Sequence, residues 1–302
     1  MNHPFVSVVI SVRNNPQGIK QALNALISQD YPNNRYEIIV IDNDSSDRTP
    51  AEIKKFDVKM IEERRDHNPY IARNRGVKAS KGEIVAFTDS DCIPNKNWLT
   101  EGTISLEKND ADMIGGYINF IVDENSSIPE LTDSIVFLQQ ELYVNERKSA
   151  CTANLFITKE TIKSLNYFSE NTVYDGDTRL TRKATQQGYK LVFEEKTIVD
   201  HRPRSLKELL IKSFRIGRDK GTVLRGKYSE WPGGIIEEFH YSISSPILVA
   251  KLNPKNLSSS LRKQKIHISK IKFLGILLTC YFMVTSGITG VFYGLIMGKK
   301  TI

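Results

Sequence analysis

Apolar positions in the first ninety residues come in short, nearly unbroken runs separated by helical stretches. Val6-Ser7-Val8-Val9-Ile10-Ser11-Val12 reads as a buried strand. Asn15-Pro16 then opens a helix with Ile19, Ala22, Leu23, Leu26 and Ile27 on one face, and Tyr31-Pro32 stops it. Residues 37–42 form a second apolar strand running into the polar loop Asp42-Asn43-Asp44-Ser45-Ser46-Asp47. A helix over 49–56, a strand over 58–61, a helix over 69–79 and a strand over 83–88 follow. Buried strands alternating with helices predict an α/β fold around a mostly parallel sheet. Such sheets bind ligands beyond the carboxyl ends of their strands, where the polar loops sit. After Asp91 the pattern predicts helices over 96–108, 132–144 and 175–187, and strands over 113–122 and 190–193.

The C-terminal third reads differently. Residues 205–218 place Leu206, Leu209, Leu210, Phe214 and Ile216 among Lys207, Lys212, Arg215 and Arg218, a basic amphipathic helix suited to a membrane surface or to packing on its own domain. Residues 273–298 carry no charge. As a helix they would span about 39 Å, more than the roughly 30 Å hydrocarbon core of a bilayer. Arg262, Lys263, Lys265, Lys270 and Lys272 precede this stretch, and only Lys299 and Lys300 follow it. A single crossing with that bias keeps the large domain in the cytoplasm, on a bacterial-type inner membrane. Gly287, Gly290 and Gly294 leave a re-entrant or kinked segment as the alternative.

Charge sharpens this division. Residues 201–302 hold 18 Lys+Arg against 5 Asp+Glu, whereas the whole chain has 42 against 35 and a net charge of +7. An anionic membrane, a phosphorylated substrate or nucleic acid would suit the basic rear. No aromatic-studded basic strand or recognition motif supports nucleic acid. The three cysteines form neither a zinc-ligand pattern nor a disulfide framework.

Thr88-Asp89-Ser90-Asp91 follows directly on a buried strand, so its carboxylates emerge at the ligand-binding edge. Two acids one residue apart suit a hard cation, Mn²⁺ or Mg²⁺, that offsets charge on a departing diphosphate. Asp42 ends its strand in the same way and suits a nucleobase or ribose donor; an Asx turn or helix cap is the alternative.

Taken in order, Val6–Asn14, Ile39–Thr49, Ala72-Arg73-Asn74-Arg75-Gly76 and Gly82–Asp91 strongly resemble family 2 glycosyltransferases of the GT-A fold. The resemblance implies a GT-A catalytic domain over 1–215, with a nucleotide-sugar half (1–100) and an acceptor half (101–215). A basic membrane-proximal region (216–272) and the membrane helix (273–298) would follow. It implies Ser11, Arg13, Asp42, Arg73, Asn74, Asp89 and Ser90 around the donor, and a metal at Asp91 with Asp89, with His201 either a third ligand or a structural histidine. Asp177 would be the general base, with Asp175 in reserve; helix capping is the alternative for both. Gly176 stands where the family's Glu-Asp pair has Glu, Arg13 where an aromatic is frequent, and Asp44 where Gly is common. Asn154 would contact the sugar on the acceptor side or else satisfy backbone groups, and Arg215 and Arg218 would meet phosphate or else be surface charge. The absence of Gln-x-x-Arg-Trp argues for single-sugar transfer.

The reaction implied is inverting, metal-dependent transfer from a nucleotide sugar, UDP being family-typical, to the hydroxyl of a lipid-linked or saccharide acceptor. The alternatives are transfer to a polyprenyl phosphate and a catalytically silent membrane scaffold. A dinucleotide oxidoreductase is disfavoured, since Ser11-Val12-Arg13-Asn14 stands where a glycine-rich turn would be.

Overall fold

The computed structural model describes residues 3–64, 67–172, 174–224, 266 and 268–297. The chain divides into two units, Met1–Asn119 with Leu138–Arg202, and Phe120–Phe137 with Pro203–Ile302. Most of the expected basic region 216–272 lies outside the described residues.

The first unit begins with β1 (Val6–Val12), α1 (Pro16–Leu26), β2 (Tyr36–Asp42), α2 (Thr49–Ile53), β3 (Lys59–Glu62), α3 (Pro69–Ala79) and β4 (Ile84–Thr88). β5 (Cys92–Pro94), α4 (Trp98–Lys108) and β6 (Met113–Phe120) follow. α5 (Ile128–Val136) belongs to the second unit. The chain then returns through α6 (Gln140–Arg147), β7 (Asn154–Thr158), α7 (Lys159–Ser164), α8 (Gly176–Gln186) and β8 (Leu191–His201). Among the described residues, eight strands form one sheet in the order β3-β2-β1-β4-β7-β6-β8-β5. β1 pairs in parallel with β2 and β4, and β2 with β3. Beyond β4 the pairings β4–β7, β6–β7 and β5–β8 are antiparallel, so the sheet is mixed.

Local chemistry explains the boundaries. Asn15 caps α1 by accepting the Gly18 N–H at 3.0 Å, with Pro16 in the first helical position. Asn68 caps α3 in the same manner, ahead of Pro69. Strands β1, β2 and β4 are almost wholly buried, and Val9, Ile39, Ile41, Phe87 and Leu155 lead the core between sheet and helices.

Two segments differ from the sequence reading. The helix expected over 132–144 is broken between α5 and α6, where Leu138 takes φ 52°. The buried Gln140 side chain starts the new helix by bonding Cys151 N–H at 2.9 Å and the carbonyls of Cys151 and Asn154 at 3.1 and 2.7 Å. Strand β8 extends to His201, far beyond the expected 190–193. Half-buried Glu194 and exposed Glu195 and Lys196 interrupt its apolar pattern, yet Thr197, Val199 and His201 alternate inward after them.

In the second unit, α9 (Leu206–Leu224) and α10 (Lys270–Met297) join α5 around Leu131, Ile135, Leu209, Ile276 and Met283. A Cβ on Gly290 would lie 2.1 Å from the Phe214 carbonyl oxygen, and one on Gly217 would lie 1.9 Å from that of Gly287. Glycine is what lets these two helix backbones touch. The buried Asp133 carboxylate accepts from the Arg204 backbone N–H at 2.8 Å and from its guanidinium at 3.2 Å.

Candidate active site

The parallel register sets β1, β2 and β4 to end at one edge: Val12 lies opposite Asp42, and Val9 opposite Phe87. The loops leaving β1 and β2 are tied together there. Asn14 N–H donates to Ser45 Oγ at 2.9 Å, Ser46 N–H to Asn14 Oδ1 at 2.8 Å, and Asn15 N–H to Thr49 Oγ1 at 2.9 Å. Asn15 Nδ2 reaches Ser90, its carbonyl at 3.3 Å and its hydroxyl at 3.2 Å. Ser90 is therefore bound to the start of α1. Ser11 is partly buried and Arg13 exposed. Asp44 takes φ 59°, the left-handed conformation that glycine adopts without strain.

Asp42 is buried, and its Oδ1 has no hydrogen-bond partner among the described residues; its Oδ2 accepts only a long bond from Ser45 N–H at 3.4 Å. A buried acceptor without a partner at a ligand-binding edge is suited to a donor brought by the ligand. The neighbouring Asn43 Oδ1 is in the same condition. Sequence reasoning passed over Asn43, although its place after Asp42 was the available signal.

Asp89 and Arg73 meet at 2.8 Å, joining β4's end to α3. The guanidinium also lies 5.5 Å from the centre of the Tyr70 ring. Burial pushes the Asp89 carboxyl above its ordinary range, Arg73 opposes that shift, and the charges of Asp91 and Asp177 reinforce it. For Arg73 burial acts to lower the pKa, but Asp89, Tyr70 and Asp177 together raise it. Three carboxylates and one guanidinium thus share one electrostatic environment.

On the other side of Ser90, Asp91 Oδ2 lies 3.3 Å from Nε2 of the buried His201. The β5–β8 pairing makes this contact by setting Cys92 opposite His201. Potential ligand atoms of Asp91, Cys92 and His201 fall within 4.8 Å of one another. Burial, with Asp91 and Asp89 nearby, pushes the Cys92 thiol well above its usual range, which disfavours the thiolate that a metal ligand needs. The other two donors are a carboxylate oxygen, which suits Mn²⁺ or Mg²⁺, and an imidazole nitrogen.

Asp177 stands in the first turn of α8. Its Oδ2 accepts the Thr152 N–H at 3.0 Å and the Thr152 hydroxyl at 3.2 Å, and its Oδ1 accepts Thr178 N–H at 3.0 Å. Asp175 precedes it in the left-handed conformation, with φ 53°. Asn74 spends its amide elsewhere: it accepts Phe168 N–H at 3.0 Å and donates to Phe168 O at 2.8 Å. Asn154 is fully buried, accepting from the Trp98 indole at 2.9 Å and donating to the Tyr117 and Thr197 carbonyls at 2.9 and 2.8 Å. Both asparagines bind segments of the fold together. Arg215 is exposed on α9, and Arg218 pairs with Asp219 at 2.8 Å.

Comparison with known proteins decides the class of this site. The family model described as glycosyl transferase family 2 matches residues 7–189. This chain belongs to glycosyltransferase family 2. The transferase is 32% identical over 286 residues to the glycosyltransferase AglE of Haloferax volcanii, covering 92% of both chains. It is 23% identical over 245 residues to a dolichyl N-acetyl-α-D-glucosaminyl phosphate 3-β-D-2,3-diacetamido-2,3-dideoxy-β-D-glucuronosyltransferase of Methanococcus voltae, covering 74% of this chain and 75% of the relative. Its fold is shared with the mannosyltransferase PcManGT of Pyrobaculum calidifontis, solved in complex with GDP-Man and Mn²⁺, at TM-score 0.62 and 15% identity. That alignment covers 96% of this chain and 88% of PcManGT. The expected GT-A fold holds, with the mostly parallel sheet made mixed by its antiparallel half and with an apolar C-terminal helix.

Proposed function

We propose that the transferase moves a sugar from a nucleotide-sugar donor to the hydroxyl of a lipid-linked or saccharide acceptor, with inversion and with a divalent cation. The observation that carries this reading is the meeting, at one sheet edge, of the Arg73–Asp89 pair with the Asp91–His201 pair. The unpartnered Asp42 Oδ1 at the same edge supports a nucleobase donor there.

In this reading Asp91 and His201 would hold the cation, with Asp89 beside them. A bound Mn²⁺ or Mg²⁺ supplies positive charge that offsets the charge developing on the leaving diphosphate. Arg73 orients Asp89 toward the donor. Asp177, fixed by Thr152 and Thr178, takes the proton from the acceptor hydroxyl as that oxygen bonds to the anomeric carbon. The C–O bond to the diphosphate breaks at the opposite face, so configuration inverts. The product is a glycosylated acceptor and a free nucleoside diphosphate.

Membrane attachment belongs to the same proposal. α10 is long and apolar enough to cross a bilayer. Its face away from α9 exposes Ile271, Leu274, Leu278, Phe282, Ile288 and Phe292, more contiguous apolar surface than a water-exposed helix tolerates. A hydroxyl acceptor carried on a lipid would then be presented from the same membrane. The Methanococcus voltae relative, named for action on a dolichyl-linked sugar, supports that acceptor class.

The test is incubation with radiolabelled UDP- and GDP-sugars and Mn²⁺, offering either a polyprenyl-linked sugar or a bare polyprenyl phosphate. Label on the polyprenyl-linked sugar with inverted anomeric configuration supports the proposal. Label on the bare phosphate moves the activity to activated lipid-sugar synthesis. Retention of configuration contradicts the role given to Asp177.

A further inference from the structure

The substitution of Gly176 for the acidic residue of the resembled Glu-Asp pair has a physical counterpart across the site. A Cβ built on Gly176 would lie 2.8 Å from Cε2 and Cζ of Tyr70 and 2.9 Å from its Cε1, so the hydroxyl edge of that ring occupies the space a side chain would need. The backbone at Gly176 does not demand glycine, because its φ lies outside the left-handed region. It is the first residue of a helix, where alanine is well tolerated. Glycine is required there by the Tyr70 ring.

Tyr70 is itself held on several sides. Its N–H is capped by Asn68 Oδ1 at 2.9 Å, and its ring lies 5.8 Å from that of Phe168. The Arg73 guanidinium sits 5.5 Å from its ring centre and continues to Asp89 at 2.8 Å. A continuous chain of contacts therefore runs from the Gly176 backbone through Tyr70 and Arg73 to Asp89. The turn at its far end carries Asp175, in the left-handed conformation, and Asp177. Consistent with this closeness, burial and the charges of Asp177 and Asp175 push the Tyr70 hydroxyl well above its ordinary pKa, while the Gly176 N–H directed at it pulls the other way.

We propose that Tyr70 is a positioning residue: its ring, seated on Gly176, sets the Asp175–Asp177 turn at a fixed distance from Arg73 and Asp89. This rests on the transferase mechanism proposed above, with Asp177 as the base. Tyr70 touches neither donor nor acceptor in this role. It replaces, by volume, the side chain that Gly176 lacks.

The test is a double-mutant cycle of Tyr70→Ala and Gly176→Ala, with Tyr70→Phe beside it. The full-length protein is incubated with UDP-GlcNAc or GDP-mannose and Mn²⁺, and kcat of donor hydrolysis, donor KM and melting temperature are measured. Tyr70→Ala and Gly176→Ala each lower kcat about tenfold, with donor KM changed less than about threefold. Tyr70→Phe, which keeps the ring, stays within about threefold of wild type. The double variant matches Tyr70→Ala, because the added Cβ enters the space the ring vacated. A double variant whose loss is the product of the two single losses overturns the proposal, as does an unchanged kcat in Tyr70→Ala. Gly176→Ala, at a helix start, keeps the test open should Tyr70→Ala not fold. Wild-type protein that is folded yet hydrolyses neither donor overturns the transferase mechanism itself, before any variant is compared. A failed cycle in active protein overturns only the role of Tyr70.

Discussion

His201 Nε2 lies 3.3 Å from Asp91 Oδ2, brought there by the antiparallel pairing of β5 with β8. The two lie far apart in sequence, and the sheet makes the contact between residues that the family resemblance had already grouped at a metal. A buried imidazole beside a carboxylate that is 43% exposed leaves one side of the pair open to a cation. His201→Asn is expected to raise the Mn²⁺ concentration needed for half-maximal donor hydrolysis at least about tenfold. A Mn²⁺ titration of wild type and variant measures this, and unchanged titrations would remove His201 from the metal site.

Arg73 is held between the Tyr70 ring and the Asp89 carboxylate. Lysine supplies the charge but neither the flat stacking surface nor the guanidinium geometry. Arg73→Lys is therefore expected to lose activity with little change in fold. Arg73→Ala also destabilises, by about 1–3 kcal/mol, because Asp89 loses its partner in a largely buried place. Urea denaturation alongside donor hydrolysis separates the two effects. Equal activity in wild type and Arg73→Lys would deny Arg73 its role at the donor.

Asn154 spends its side chain on Trp98, Tyr117 and Thr197. Replacing it with alanine leaves a buried indole N–H and two carbonyls short of a bond. The expected cost is roughly 2–4 kcal/mol of stability. The protein remaining folded should keep its acceptor KM. A variant of unchanged melting temperature but raised acceptor KM would return Asn154 to the acceptor site.

The first hundred residues were the most legible part of the chain. β1, β2 and β4 are buried on both faces and therefore carry continuous apolar runs, and the carboxylates that follow each run fall at the ligand edge. The antiparallel half was less legible. β5 is three residues long, too short for a pattern, and Glu194 and Glu195 hide the continuation of β8 toward His201. The commitment of Asn74 to Phe168 was not legible, because its partner is a distant backbone segment, whereas satisfying backbone groups was one of the two roles expected of Asn154. Tyr70 was passed over for a similar reason: its significance lies in the absence of a side chain on Gly176, far along the chain.

The outward face of α10 predicts attachment to anionic vesicles. Each large apolar side chain entering lipid contributes about 1.5–3 kcal/mol. Leu278→Ser with Phe282→Ser, both on the exposed face, is expected to lower the vesicle-bound fraction in flotation by more than about tenfold in partition constant. Undiminished flotation would mean that this face meets protein instead.

The central claim is that Asp91 holds a cation required by the donor. Calorimetric titration of the protein with UDP- and GDP-sugars, with and without Mn²⁺, tests it most directly when Asp91→Ala is run in parallel. One donor is expected to bind with Mn²⁺, its binding weakening at least about a hundredfold without the metal, and the folded variant is expected to show no gain from it. Donor binding of equal strength with and without Mn²⁺, or undiminished in Asp91→Ala, would contradict the claim.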